Sequence, residues 1–202
     1  MKLSTRELAT LAVFGALWGL SEATLGSVLK TLNIPMSGVV LSAIGLTIAL
    51  VGRVFVPRRG STLFIGAIAT LVKLFSLGGV IIGPMVGIIT EAIVAEIVLS
   101  LAGKPRRTAF TLAGALGVAW VVLQPFVTGP LLFGRTIFTT WLDLIDRGSR
   151  LLGLDPSAAL WIVLAYLAIH VIIGSLTGWL SWDIAHLLQV RLGRAAAVTV
   201  KP

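Results

Sequence analysis

The 202-residue chain is predicted to be all-α, a polytopic membrane protein of six transmembrane helices with an amphipathic helix between spans five and six. Three observations carry that expectation. Hydrophobic residues make up 57% of the chain and charged residues 12%, half the roughly 25% of an average soluble domain. The apolar runs are continuous over about the 20 residues a helical span needs, not alternating every second residue, which excludes a β-barrel. The basic residues behind the +8 net charge fall in short turns between those runs, so they report topology and not a nucleic-acid surface.

Taken in order, the spans are residues 8–29, 37–56, 61–76, 80–102, 108–126 and 157–180, forming one transmembrane domain over 1–202. Ser4-x-x-Glu7 has the form of a capping box before the first run. That run lacks a small-residue cleavage site and reads as a retained helix. Pro57-Arg58-Arg59-Gly60 closes the second, and a tight turn at Gly78-Gly79 joins the third to the fourth. Pro125, Gly129 and Pro130 break the far end of the fifth. Eleven of the 16 basic residues, among them Lys2, Arg53, Arg58, Lys104, Arg107, Arg191 and Lys201, fall on one side of a six-span topology. The positive-inside rule then puts both termini in the cytoplasm. Residues 135–153 carry apolar side chains at helical spacing opposite Asp143, Asp146, Arg147 and Arg150. They read as a helix lying on the outer membrane surface, or as a lid over an outward-facing pocket.

The fourth span places Glu91 near its centre and Glu96 beyond it. A carboxylate at bilayer depth costs about 2.5–3.5 kcal/mol on insertion scales, so an intramembrane acid marks a candidate functional site. The two are five residues apart, about 140° around a helix, so at most one faces a given cavity, and Glu91 is favoured. Trp18 and Glu22 share a face of span one. With Lys73, Gln124, Tyr166 and His170 they are expected to line a substrate cavity, Trp18 and Tyr166 as stacking surfaces. Glu22 and Lys73 read equally as a buried ion pair. His170 reads also as a packing residue, and Gln124 as a donor to carbonyls freed by Pro125. A second surface of small residues, Ala12 and Ala16 on span one with Gly66 and Thr70 on span three, suits close approach by a partner helix.

No cysteine is present, and the chain has no P-loop, no H-E-x-x-H, no G-x-S-x-G and no His/Asp cluster. It is not expected to be an enzyme, and no cofactor or metal is expected.

The stretches ELATLAVFGALWGLSEA in span one and GIITEAIVAEIVLSL before a basic turn in span four resemble the substrate-binding S component of energy-coupling factor (ECF) transporters. The look is nearest to the thiamine/hydroxymethylpyrimidine group. The resemblance implies a six-helix subunit in the cytoplasmic membrane of a prokaryote that captures a vitamin or vitamin precursor from outside. Its partners would be a transmembrane coupling protein, docked on Ala12 and Ala16, and two cytoplasmic ATPases. Met1 is followed by Lys2 and not by the histidine of the cobalt and nickel members. Glu22 and Glu91, against Lys73 alone, point to a cationic or amine-bearing heterocycle. The alternatives are a proton-coupled secondary transporter, an intramembrane enzyme using Glu91 with His170, and a ligand-free scaffold.

Overall fold

In the computed structural model, which describes residues 3–76 and 82–199, the chain is all-helical: α1 (Thr5–Thr31), α2 (Ser37–Phe55), α3 (Ser61–Lys73), α4 (Ile82–Ala102), α5 (Arg107–Phe133), α6 (Ile137–Leu152) and α7 (Ala159–Thr199). A single 3-10 turn, Pro156–Ala158, leads into α7. Asp155 caps it by accepting from the Ser157 N–H, and the Ser157 hydroxyl together with that N–H lowers the Asp155 carboxyl from its ordinary value. The Gly78-Gly79 turn expected from sequence, Lys2 and Lys201 lie outside the described residues.

Among the described residues, five helices are long and apolar enough to cross a membrane: those over Thr5–Leu29, Ser37–Phe55, Ile82–Ala102, Arg107–Phe133 and Pro156–Leu192. The stretch expected as the third span holds the 13-residue α3, about 20 Å long and shorter than a bilayer core. Two other boundaries move. α5 runs past residue 126 to Phe133 with Pro125 and Pro130 inside it, and α7 continues unbroken for 41 residues instead of ending near 180. Proline removes a donor but does not have to end a helix where neighbouring groups answer the freed carbonyls. The carbonyl freed by Pro125 is that of Val121, four residues back, and α5 runs on through both prolines to Phe133.

α2 is the central element, packed against α1, α3, α4, α5 and α7. It contributes to two apolar clusters. Ala49 and Val56 join Leu11, Trp18 and Ile65 on one side, while Leu46 and Leu50 join Leu99, Phe110 and Val118 on the other. α5 and α7 touch backbone to backbone. A Cβ on Gly178 would fall on the Phe110 carbonyl, and one on Gly174 on that of Gly114. Small residues are what allow that approach.

One end of the bundle gathers the basic turns. Ser4 and Glu7 exchange capping hydrogen bonds at 2.8 and 3.2 Å, and Arg58 from the α2–α3 turn reaches Glu7. Arg107 pairs with Asp183 of α7 and lies 4.0 Å from the centre of the Trp179 ring. The N-terminus of α3 has no side-chain cap of its own, since its N-cap is Gly60. Glu96 of α4 takes that role. It accepts from the Gly60 N–H at 2.7 Å, from the Thr62 N–H at 3.0 Å and from the buried Arg53 of α2 at 3.2 Å. A carboxylate at a helix N-terminus answers both the orphan donors and the positive end of the dipole. Glu96→Ala leaves Arg53 buried without its carboxylate and α3 uncapped, and is expected to cost about 3–5 kcal/mol. Thermal unfolding in detergent should place this variant far below wild type, with Glu96→Gln between them. Gly178→Ala is expected to lower the midpoint in the same assay by forcing α5 and α7 apart.

Candidate functional site

The polar residues singled out in the sequence divide into three places. Glu22, Lys73 and Glu91 meet in the interior between α1, α3 and α4. The Lys73 Nζ donates to the Glu22 backbone carbonyl at 2.7 Å and stands 3.5 Å from its carboxylate. Both side chains are buried, and Glu91 faces Glu22 and Ser42 from α4. The room for this group comes from Gly26, where a Cβ would lie 3.3 Å from the Lys73 Nζ. Such a cluster is held by low dielectric, where each charge depends on its neighbour.

Trp18 lies one turn nearer the basic end and is fully buried. Its indole crosses α2 at Gly45, where a Cβ would coincide with the Nε1, and reaches toward Gly66 of α3. It is a core residue between three helices. Among the described residues its Nε1 has no hydrogen-bond partner. Gly66 is buried and faces Ala92 of α4, which removes it from any outward docking surface, whereas Ala12, Ala16 and Thr70 are half-buried.

Gln124 and Tyr166 sit at the other end of the bundle, on a cavity of about 920 Å³. The start of α2, the second half of α5, the inner side of α6 and the first turns of α7 form its walls. The Gln124 amide donates at 2.9 Å to the Gly83 carbonyl of α4, tying that helix to the wall, so its amide does not serve the carbonyls freed by Pro125. Gly87 makes space for it, since a Cβ there would lie 2.8 Å from the Gln124 Oε1. His170 is one turn below Tyr166. The rings are 4.5 Å apart, and Nδ1 lies 2.7 Å from the Tyr166 carbonyl, which makes Nδ1 the protonated nitrogen. Glu91 and His170 do not share a site. Among the described residues α4 and α7 do not pack on each other, and α2 and α5 stand between them.

The remaining charged groups of the cavity come from the α5–α6 turn and α6. Thr140, Asp143, Arg147 and Arg150, spaced three, four and three residues apart, put one stripe of α6 on the cavity. The opposite side of α6 packs on α7 through Ile145 and Gly148, the latter directly against Ile162. Ile137, Phe138 and Leu142 stay exposed. Part of the charged face of this helix thus borders the cavity, with Arg147 and Arg150 still exposed. Arg135 reaches back to Asp143 at 2.5 Å and braces the turn, while Arg150 pairs with Asp146 at 2.6 Å. Sequence reasoning placed these residues on a polar helix face without assigning them to the site. The signal was the 140/143/147/150 spacing in a segment on the same side as the expected pocket. Volume and mixed lining suit a small organic molecule, for which pockets run roughly 300–1,000 Å³. Among the described residues, no group of three His, Asp or Glu side chains is placed to hold a metal.

Lys73→Met leaves Glu22 without its buried cation and is expected to destabilise the protein by about 3–5 kcal/mol. Lys73→Met combined with Glu22→Gln should recover much of that loss in thermal unfolding, because the pair is removed together. Comparison with known proteins found no matching family model, no matching curated protein and no matching solved structure.

Proposed function

We propose that this protein is the membrane-embedded substrate-binding subunit of an ECF-type importer, capturing a small vitamin-like molecule from outside the cell. The observation that carries this reading is the cavity of about 920 Å³ at the end of the bundle remote from the basic turns. The positive-inside rule orients that end outward and both termini toward the cytoplasm of a prokaryote. In this reading the short α3 stands as the sixth helix inside the bundle. α6 lies at the outer interface as the roof of the site, and its movement admits the ligand. The likeness of the first and fourth spans to S components supplies the remaining parts: a transmembrane coupling protein and two cytoplasmic ATPases, with Ala12 and Ala16 on the docking side. Because the chain carries no P-loop, ATP hydrolysis falls to those partners.

A second reading has one observation in its favour. The Glu22–Lys73–Glu91 cluster is buried away from the cavity, as an internal proton-carrying site of a secondary transporter would be. That protein would accumulate substrate in proteoliposomes without an ATPase.

Intrinsic tryptophan fluorescence of the detergent-solubilised protein, titrated with thiamine, hydroxymethylpyrimidine, riboflavin, biotin, pantothenate and pyridoxine, tests the leading reading. Saturable quenching by one of them at sub-micromolar concentration is expected. Tyr166→Ala should weaken that binding at least tenfold, about 1.4 kcal/mol, while Glu91→Gln leaves it unchanged. Loss in Glu91→Gln with full affinity in Tyr166→Ala would move the ligand to the internal cluster.

A further inference from the structure

The charge of the cavity runs opposite to the charge that suggested a cationic ligand. Glu22 and Glu91 do not line it. The ionisable side chains that do are Arg135, Arg147 and Arg150 against Asp143 alone, together with the Tyr166 phenol. Asp143 is already engaged by Arg135 at 2.5 Å, so the single carboxylate on the wall is neutralised within the wall. Arg150 shares a surface pair with Asp146 one turn away on the same helix, with both side chains more than half exposed, and such pairs hold their partners weakly. Arg147 makes no hydrogen bond or ion pair among the described residues. It faces Tyr166, the only tyrosine in the chain, across the cavity wall.

The rest of the lining is largely apolar, with Val121, Val122, Phe126, Phe133, Leu144 and Leu151. A guanidinium offers a planar fork of N–H donors matched to carboxylate and phosphate oxygens, and Arg147, exposed at the edge of the cavity, has that fork open to a ligand. The N-terminus of α2 opens on the same space. Its N-cap, Met36, provides no side-chain acceptor, so the positive end of the helix dipole adds to the field of the arginines.

We infer that the cavity binds an anionic molecule, one carboxylate or phosphate group on an apolar or aromatic body, with Arg147 as its principal charge contact and Tyr166 against its body. This inference rests on the reading of the cavity as the ligand site and deepens it. The same anionic chemistry has two sources, a soluble small molecule or the phosphate of a lipid headgroup, and these are separable.

The test uses the full chain in dodecylmaltoside, with thermal unfolding and tryptophan quenching read against compounds sorted by charge. Biotin, pantothenate, nicotinate and pyridoxal 5′-phosphate are the anions, riboflavin and pyridoxine the neutral members, and thiamine the cation. At least one anion is expected to bind saturably. Arg147→Gln should weaken it at least tenfold while the unliganded protein keeps its unfolding midpoint, and Arg147→Lys should recover part of the affinity. Saturable binding of thiamine or a neutral member alone, unchanged in Arg147→Gln, overturns the anion assignment and leaves the cavity as the ligand site. Silence across all seven compounds overturns the soluble source. Phosphatidylglycerol and phosphatidylcholine vesicles then decide between a lipid and nothing. Stabilisation by phosphatidylglycerol that disappears in Arg147→Gln assigns the anion to a headgroup and removes the importer reading. Equal stability in both lipids overturns the inference and the ligand site together.

Discussion

The carboxylate of Glu96 is the constraint on which the packing of this bundle turns. In a hydrocarbon surrounding, a helix N-terminus has no water to take its free N–H groups, and an arginine has none to solvate its charge. α3 begins at Gly60, which has no side chain to cap it, and Arg53 is buried in the last turn of α2. One carboxylate from α4 answers both. The three helices can therefore not slide independently, and α3, too short to cross a bilayer, is anchored at the basic end by a group outside itself. Its other end is held by Lys73, whose ammonium meets the Glu22 carbonyl and carboxylate of α1. α3 is thus fixed at both ends by ionic contacts with neighbouring helices, which compensates for its length.

The other side of α2 is organised by contact instead of charge. α5 and α7 approach until the backbones meet at Gly114, Gly174 and Gly178. That contact sits toward the basic end, while the far ends of the same helices hold Gln124, Phe126 and Tyr166 around the cavity. Close packing at one end and an opening at the other are consistent with two helices pinned where glycines allow it and separated where larger side chains stand. α6 is inserted into that opening, held by Gly148 on Ile162 and by the Arg135–Asp143 brace.

Much of this was legible in the sequence, and the parts that were not share a physical cause. Helix positions follow from continuous apolar runs, the Ser4–Glu7 box forms where local spacing places it, and a helix, Ile137–Leu152, lies within segment 135–153. Local rules failed where tertiary partners overrode them. The Pro125 break was expected from a missing donor, yet α5 continues through Pro125 and Pro130 to Phe133. The convergence of Trp18, Glu22 and Glu91 with Tyr166 was expected from depth alone. Depth does not say which neighbour a helix face meets, and α2 fills the space between them. Glu96 looked like the less interesting acid because no sequence pattern links it to Gly60, 36 residues away.

The separation of charge inside the molecule bears most directly on function. Two of the carboxylates buried in the spans are matched to cations of the protein itself, Glu96 to Arg53 and Glu22 to Lys73, with Glu91 beside Glu22. Neither pair opens on the cavity, so their charge is spent on holding helices together. The charge that borders the cavity comes instead from the α5–α6 turn and α6, where Arg147 is exposed and makes no ion pair among the described residues. An amphipathic helix on a membrane surface would normally turn its charges to water. In α6 part of the apolar side packs on α7, and the charged stripe borders the cavity while Arg147 and Arg150 stay open to solvent. A membrane-embedded acid invites the assumption that it greets a cation from outside. In this bundle Glu96 and Glu22 hold helices together, and the charge on the cavity wall is that of Arg135, Arg147 and Arg150.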